Sequence, residues 1–208
     1  MKNKKLLIIT SLIILLPIVA GLVLWNQLPD TIATHFNANN EPDGWSSKTF
    51  TVFAIPAIMC ALHIFCIVVT MNDPKRRNIS DKLITLVYWI IPVISIVVMA
   101  MTYANALGIG INIGTIVNLI MGVLFIALGN YLPKARQNFT CGVRTPWALS
   151  SEENWNRSNR LGGWLFVAVG FLFLINAFVL WTWAILIAAI IAAIIPAVYS
   201  FYLYKKGI

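Results

Sequence analysis

Six long apolar stretches, separated by short polar segments, set the pattern of hydrophobic and polar positions along the chain. They lie at about 6–26, 50–71, 83–104, 112–132, 161–180 and 183–204. Each has roughly the 20 residues that an α-helix needs to cross the hydrocarbon core of a bilayer, and none alternates as a barrel strand would. The pattern predicts an all-α integral membrane protein, built as a six-helix transmembrane bundle.

The first apolar stretch could be either a secretory signal or a membrane span. It follows the basic start MKNKK, as a secretory signal does. It is also long enough to span a bilayer, and no small-residue cleavage site follows it. We therefore expect it to stay as a span. Residues 1–71 then hold two spans with an outer loop at 27–49, and residues 72–208 hold four spans with a loop at 133–161, all in one membrane domain.

Composition agrees with this class, and the charges give the spans a direction. Hydrophobic residues make up 60% of the chain and charged residues 11%, with a mean hydropathy of +0.83. With the N-terminus inside the cell, Lys48 is the only one of the 15 basic residues in an outer segment. This positive-inside pattern predicts that both termini are cytoplasmic. Because the positive charges lie in short loops rather than on one solvated face, the net charge of +8 does not indicate direct nucleic-acid binding.

The spans contain almost no ionisable side chains, and His63 is the exception. Cys60 and Cys66 flank it, but three ligands at i, i+3 and i+6 on one helix point apart. A neutral histidine bonded to a neighbouring helix is therefore a better interpretation than a metal site. The chain also lacks a nucleophile–base pair and a phosphate-binding loop. The sequence predicts no catalysis, no cofactor and no metal.

Small residues recur every four positions in the fourth and sixth stretches. This spacing places them on one helix face, where they let two backbones approach closely. The positions are Gly110, Gly114, Asn118 and Gly122 in the fourth stretch and Ala184, Ala188 and Ala192 in the sixth. The same faces would suit a homodimer interface. Asparagines in the spans, Asn118 and Asn176 among them, are interpreted as interhelical hydrogen-bonding residues.

The outer loop, NQLPDTIATHFNANNEPDGWSSKTF, combines turn chemistry with potential binding residues. Residues 39–40 and 42–44 predict turns, and 31–36 predicts an extended segment. The loop also carries His35 and Trp45. Two interpretations follow: a solvated loop anchored by its aromatic side chains, or a recognition surface for a molecule outside the cell.

The stretch CGVRTPWALSSEENWNRSNRLGG at 141–163 is unusually polar for its position between two spans. Ser150 and Glu153 form a capping box, which predicts a helix from there to about Leu161. Glu153 and Arg157 stand at i, i+4, the favourable order for a helix pair. Gly162-Gly163 is expected to loosen or bend the chain, so that a short polar helix leads into, or merges with, the fifth span. The stretch is interpreted either as a juxtamembrane helix whose arginines contact anionic lipid headgroups or as a docking face for a partner.

Two motifs carry a family resemblance. GVRTPWALSSEENWNRSNRLGG resembles the signature of the SdpI-type family, toxin-immunity membrane proteins of Gram-positive bacteria. LPDTIATHFNANNEPDGWSSK resembles the domain of unknown function that often precedes it. The resemblance implies a multi-pass protein of the bacterial cell membrane, with a peptide toxin as partner at the outer face, a cytoplasmic repressor as a second partner, and lipids around it. It implies an outer set of toxin-binding residues, His35, Asp43 and Trp45, and a cytoplasmic set of partner-binding residues, Arg144, Thr145, Pro146, Trp147, Trp155, Asn159 and Arg160.

The expected function is therefore that of an immunity protein rather than an enzyme. It would bind and neutralise a membrane-active peptide toxin and signal to a cytoplasmic regulator. A binder of this kind needs no buried charges, in agreement with the nearly uncharged spans. The alternatives are a small-molecule or lipid transporter and a signalling membrane protein without a protective role.

Overall fold

Seven α-helices, one β-hairpin and three short helical segments, a π-helix at Phe50–Ala54 and 3₁₀ turns at Arg76–Asn78 and Leu132–Lys134, make up the described part of the chain. The structure is a computed structural model and describes residues 2–208, the side chains of Lys2, Asn3 and Thr182 excepted. Six of the helices are long and apolar enough to cross a membrane, which confirms the predicted all-α membrane class with six spans. The helices are α1 (Lys2–Val23), α2 (Ile55–Met71), α3 (Asp81–Ala106), α4 (Ile113–Tyr131), α5 (Pro146–Ser150), α6 (Glu152–Val179) and α7 (Thr182–Lys205), and the hairpin strands are β1 (Thr31–Phe36) and β2 (Pro42–Ser47).

The chain forms two compact units. The first contains the residues up to Val68 together with Thr85–Ile113, and the second contains Val69–Ile84 and Gly114–Ile208. The hairpin therefore belongs to the first unit. The second unit holds residues 133–161, which we call the signature segment.

In the first unit, polar side chains of α3 bind the backbone of α1. The Ser95 hydroxyl donates to the carbonyl of Ile14 at 3.1 Å, and the Tyr103 hydroxyl donates to the carbonyl of Pro17 at 3.0 Å. Gly21 makes room for this contact, since a Cβ at that position would lie 2.6 Å from the Tyr103 oxygen. Interhelical hydrogen bonds and close backbone approach are the forces that hold helices together in lipid, where apolar burial contributes little.

His63 on α2 is also bonded to α1. Its Nε2 lies 2.9 Å from the Thr10 hydroxyl, which in turn lies 2.8 Å from the carbonyl of Leu6. Because that hydroxyl has one proton and gives it to the helix carbonyl, it accepts from the Nε2–H of the imidazole. The prediction of a histidine bonded to a neighbouring helix is confirmed. Within residues 2–208, no group of three His, Cys, Asp or Glu side chains could hold a metal ion.

The hairpin rests on the first unit through one strand. β1 and β2 pair antiparallel, with Thr31 opposite Ser47 and Ala33 opposite Trp45. Ile32 is buried and anchors the hairpin in an apolar cluster. The other buried members of that cluster are Leu28, Val52, Met99 and Tyr103.

The turn of the hairpin differs from the prediction. The extended segment at 31–36 is confirmed, but the prediction of a turn at 42–44 is wrong because Pro42–Ser47 forms β2. The reversal occurs at 37–41, where the Asn37 side-chain oxygen accepts from the backbone amides of Asn39 and Glu41 at 2.9 and 3.0 Å. That side chain satisfies the turn amides and so fixes where the chain reverses.

In the second unit, α4 and α6 approach through two pairs of glycines. A Cβ on Gly122 would lie 2.9 Å from the carbonyl of Gly170. A Cβ on Gly163 would lie 2.7 Å from the carbonyl of Gly129 and 2.5 Å from the ring of Pro133. The two backbones therefore touch at two levels, which only residues without side chains permit.

Polar and small side chains hold α6 between α4 and α7. The Asn176 amide donates to the side-chain oxygen of Asn118 on α4 at 2.9 Å, as the interhelical interpretation of these asparagines predicts. Towards α7, α6 packs against Ala188 and Ala192 of the predicted alanine face. The prediction that Gly110 lies on the fourth helix is wrong, because α4 begins at Ile113.

The helix α6 runs unbroken for 28 residues. The predicted N-cap is wrong by one position, because Ser150 ends α5 and the Ser151 hydroxyl accepts from the amide of Asn154 at 3.3 Å. The polar helix merges with the fifth span, as one of the two alternatives predicted, and the predicted bend at Gly162-Gly163 is wrong, since both glycines are buried inside the helix. At about 1.5 Å per residue the helix is about 42 Å long, against a hydrocarbon core of about 30 Å.

Candidate functional site

The signature segment is held in place by two buried side chains of α6. Trp155 is 0% exposed, and its indole N–H donates to the carbonyl of Ala135 at 2.7 Å. The Asn159 side-chain oxygen accepts from the amide of Val143 at 2.8 Å, and its NH₂ donates to the carbonyl of Trp155 at 3.0 Å. Both side chains bind the backbone of the preceding loop, so they fix residues 135–145 against the helix.

Gly142 allows this loop to pass over the Trp155 ring. Its φ is 125°, a conformation that L side chains rarely adopt. A Cβ there would lie 2.9 Å from the indole ring and 2.6 Å from the side-chain oxygen of Asn159. The glycine is therefore required twice, by its backbone conformation and by the space above Trp155.

Thr145 and Pro146 start the short helix α5 and connect it to α7. The Thr145 hydroxyl accepts from the amide of Ala148 at 3.1 Å, and it lies 2.6 Å from the hydroxyl of Ser200. Pro146 occupies the first helical position, where its missing N–H is no loss. Thr145 and Pro146 thus begin α5, and the Thr145 hydroxyl also joins α5 to α7.

The remaining predicted residues of the signature segment lie nearer the surface. The Trp147 ring packs on Phe201 of α7, with ring centroids 4.8 Å apart. Arg144 is exposed and its guanidinium donates to the carbonyl of Phe139 at 2.9 Å. Arg160 is exposed as well. Among the predicted partner-binding residues, the arginines are therefore accessible, whereas Trp155 and Asn159 are buried and act on the shape of the segment.

A buried carboxylate that the sequence analysis missed ties this segment to the connection between α2 and α3. Asp73 is 6% exposed. One oxygen accepts from the amide of Lys75 at 2.7 Å, and the other accepts from the amide of Phe139 at 2.9 Å and from the hydroxyl of Thr140. Three donors stabilise the buried carboxylate, which would otherwise be costly to desolvate. Asp73 stands in the turn sequence Asn-Asp-Pro, which was the available signal.

Two further polar side chains complete the inside of the loop. The Gln137 side-chain NH₂ donates to the backbone carbonyls of Ala148 and Leu149 at 3.0 and 2.9 Å, and the backbone carbonyl of Gln137 accepts from the Asn78 side chain at 2.7 Å. Asn138 is fully buried and its side-chain oxygen accepts from two backbone amides of the following residues. Backbone groups that have no helix or strand partner are thus satisfied by amide side chains.

Asn154 and Ser200 join α6 to α7 beneath the loop. The Asn154 amide donates to the carbonyl of Ser200 at 2.9 Å, and the Ser200 hydroxyl donates back to the Asn154 oxygen at 2.7 Å. We call the whole set of side chains the polar core. Its members are Asp73, Gln137, Asn138, Asn154, Asn159 and Ser200.

The polar core changes the chemistry of a neighbouring thiol. Burial raises the pKa of Cys141, the negative charge of Asp73 raises it further, and the positive charge of Arg144 opposes the shift. The group is therefore a protonated thiol at neutral pH, and this does not favour a role as nucleophile.

The hairpin carries the three predicted outer residues and brings two of them, His35 and Asp43, into contact. His35 Nδ1 lies 2.5 Å from a carboxylate oxygen of Asp43 across the strands, and both side chains are exposed. Trp45, two positions further along β2, is 60% exposed. The register of the two strands is irregular on either side of His35, and Asp43 has no partner residue in the pairing. The hairpin thus exposes a hydrogen-bonded histidine–carboxylate pair and, separately, an apolar ring.

The base of the hairpin is fixed to the end of α1. The Lys48 ammonium lies 3.2 Å from the Asp30 carboxylate and donates to the carbonyl of Trp25 at 3.2 Å. Gly44 lets the strands close, since a Cβ there would lie 2.9 Å from the Cβ of His35. With Ile32 buried as well, the hairpin is attached at its base, while His35, Asp43 and Trp45 stay exposed.

Comparison with known proteins gives matches to both regions. Residues 134–200 match the SdpI/YfhL protein family, and residues 12–60 match a domain of unknown function, DUF1648. The chain is also 28% identical over 207 residues to the immunity protein SdpI of Bacillus subtilis strain 168, with 96% of each chain covered. No solved structure matches the chain.

The SdpI/YfhL match and the structure agree on which parts belong together. The match covers nearly all of the signature segment, α6 and most of α7, and therefore every polar-core residue except Asp73. The other match covers the hairpin, the second half of α1 and the first residues of α2. The resemblance inferred from the two motifs is confirmed. Together with six spanning helices, it makes this a multi-pass protein of the cell membrane.

Proposed function

We propose that this protein is an immunity protein that protects the cell carrying it against a membrane-active peptide toxin. The observation that carries the proposal is the similarity to an immunity protein over 96% of both chains, because it includes the hairpin as well as the signature segment. The spans support it, since their few ionisable groups suit the binding of an apolar peptide better than transport or catalysis.

The hairpin is the proposed site of toxin contact. The basic residues orient it towards the outside of the cell, where an arriving peptide would meet it first. Exposed Trp45 and the exposed Phe50 at the start of the second span offer apolar surface for an amphipathic peptide. The His35–Asp43 pair adds a polar contact beside it. Binding of the toxin to the hairpin would keep it from disrupting the bilayer.

The signature segment is the proposed site for a cytoplasmic regulator. Its exposed arginine, Arg144, lies on a loop that the polar core holds in one conformation, so that the guanidinium is presented without a large ordering cost. Trp155 and Asn159 contribute by fixing that loop rather than by touching the partner. This role is separable from protection, because the two surfaces lie in different units of the chain.

Survival of a sensitive host, with the membrane potential recorded, tests the proposal. Wild type is expected to preserve the potential under challenge with membrane-active peptide toxins, and Trp45→Ala and His35→Ala are expected to lose protection. A central aromatic contact contributes about 2 kcal/mol or more to binding. Trp45→Ala should therefore weaken toxin binding about 30-fold, so that about 30 times more toxin is needed to occupy the same fraction of the protein. Trp181→Ala is the matched control, because Trp181 is 72% exposed and lies outside the hairpin.

The outcomes separate the parts of the proposal. If wild type gives no more resistance than an empty vector, the protein has no immunity role. If Trp181→Ala fails as badly as Trp45→Ala at equal membrane levels, exposed aromatics in general are responsible and the hairpin is not the site. Cells that carry Arg144→Ala are expected to survive the toxin but to lose the transcriptional response of the cytoplasmic regulator. If these cells die instead, the division between the two surfaces is contradicted.

A further inference from the structure

An open cavity of about 510 Å³ lies between α6 and α7. Its lining residues are Arg157, Arg160, Leu161, Trp164 and Tyr199. The four from α6 stand at i, i+3, i+4 and i+7, so they form one stripe along that helix. The stripe begins with two arginines and ends with apolar side chains.

The position of the stripe along α6 coincides with the edge of the membrane. A span needs about 20 residues, and 20 residues counted back from the end of the helix at Val179 reach Arg160. Arg157 and Arg160 therefore lie at headgroup level, and Trp164 lies one turn inside the hydrocarbon. Trp164 is 67% exposed, as expected for a side chain that faces lipid.

The positive charges at the mouth of the cavity are only partly neutralised by the protein. Arg157 lies 2.5 Å from the Glu153 carboxylate, but its side chain stays about half exposed. Among the residues that the structure describes, no ion pair includes Arg160. Two guanidinium groups thus face one carboxylate. Their planar donors match the oxygens of a phosphate group.

We propose that this cavity binds one anionic phospholipid, such as phosphatidylglycerol. The phosphate would lie between Arg157 and Arg160, and the first carbons of an acyl chain would run along Leu161 and Trp164, with Tyr199 closing the side formed by α7. A phospholipid explains the charged and the apolar halves together, whereas a free phosphate ion explains only the arginines. The inference is independent of the proposed immunity role. It assigns Arg160 to a lipid rather than to a cytoplasmic partner.

Lipid binding to the purified full-length protein in detergent tests this. Short-chain phosphatidylglycerol, short-chain phosphatidylcholine, inorganic phosphate and glycerol phosphate are titrated separately, with thermal unfolding and native mass spectrometry as readouts. Phosphatidylglycerol is expected to raise the midpoint of wild type more than the other three, and one copy is expected to stay bound. Each arginine near anionic lipid contributes about 1 kcal/mol, so Arg157→Gln/Arg160→Gln should weaken phosphatidylglycerol binding about 30-fold.

Arg77→Gln is the matched control, because Arg77 is an exposed arginine of the same unit outside the cavity. It should keep nearly all of the phosphatidylglycerol effect, as should Arg157→Lys/Arg160→Lys in large part, since the charge remains. The proposal is overturned if Arg77→Gln loses as much binding as the double glutamine variant, because diffuse attraction would then be responsible. It is also overturned if phosphatidylcholine binds equally well, or if inorganic phosphate gives the full effect.

Discussion

Trp155 tests whether the family signature shapes the protein or contacts a partner. Replacing it by phenylalanine keeps an aromatic ring but removes the indole N–H that the carbonyl of Ala135 accepts at 2.7 Å. The substitution also removes part of a fully buried ring. The loop carbonyl is then left without its donor, in a place that water cannot easily reach.

The expected cost follows from these two losses. A buried carbonyl without a partner costs about 1–3 kcal/mol, and the small cavity adds about 1 kcal/mol. The sum of about 2–4 kcal/mol corresponds to a fall in midpoint of about 4–16 °C for a chain of this size. Trp164→Phe is the same substitution nine residues further along α6, at a side chain that is 67% exposed. It should change stability by less than about 0.5 kcal/mol.

Thermal unfolding of both variants in one detergent measures the difference, and limited trypsin digestion locates it. Cleavage at Arg136 and Arg144 should be faster in Trp155→Phe, because the loop that carries both arginines loses its attachment. Equal midpoints and equal cleavage for the two variants would show that Trp155 does not hold the loop. In that event its place in the signature would have to be explained by contact with another molecule.

Two further substitutions test the packing within each unit, with unfolding midpoints as the measurement. Gly163→Ala should cost about 1–3 kcal/mol because its Cβ would overlap backbone and ring atoms. Gly162→Ala is the control and should be close to neutral, because its Cβ would have its nearest neighbour at 3.3 Å. Equal effects of the two substitutions would mean that α6 can move away from α4. Thr10→Val should cost about 1 kcal/mol by removing the acceptor of the His63 bond, and Thr10→Ser should restore it; a stable valine variant would show that the bond contributes nothing.

The spans could be predicted because a bilayer sets their length. Each apolar stretch corresponds to one long helix. The largest error is at α6, where a bend was expected between the polar helix and the fifth span but one helix continues from Glu152 to Val179. That error arose from Gly162-Gly163. Local propensity treats a glycine pair as a break, but here contact with α4 and α7 keeps the helix continuous.

The polar core could not be predicted because its hydrogen bonds join residues that are far apart in the sequence. Asp73 accepts from Phe139 and Thr140, and Asn154 binds Ser200, so the partners stand far apart in sequence. Each residue is a single polar position without a periodic pattern, and any of them could equally face water. The pairing of the hairpin strands was missed for a similar reason, since it depends on the burial of Ile32 by other elements.

The two glycine pairs of α4 and α6 restrict how related sequences can vary. Gly122 and Gly129 stand two turns apart on one helix, as do Gly163 and Gly170 on the other, and each contact is backbone against backbone. A larger residue at one position cannot be compensated at its partner, because glycine is already the smallest residue. Substitutions at these four sites are therefore not rescued by a second change. The distance between these two spans is therefore set by four residues that have no side chains, and side chains on the outward faces of both helices do not enter that constraint.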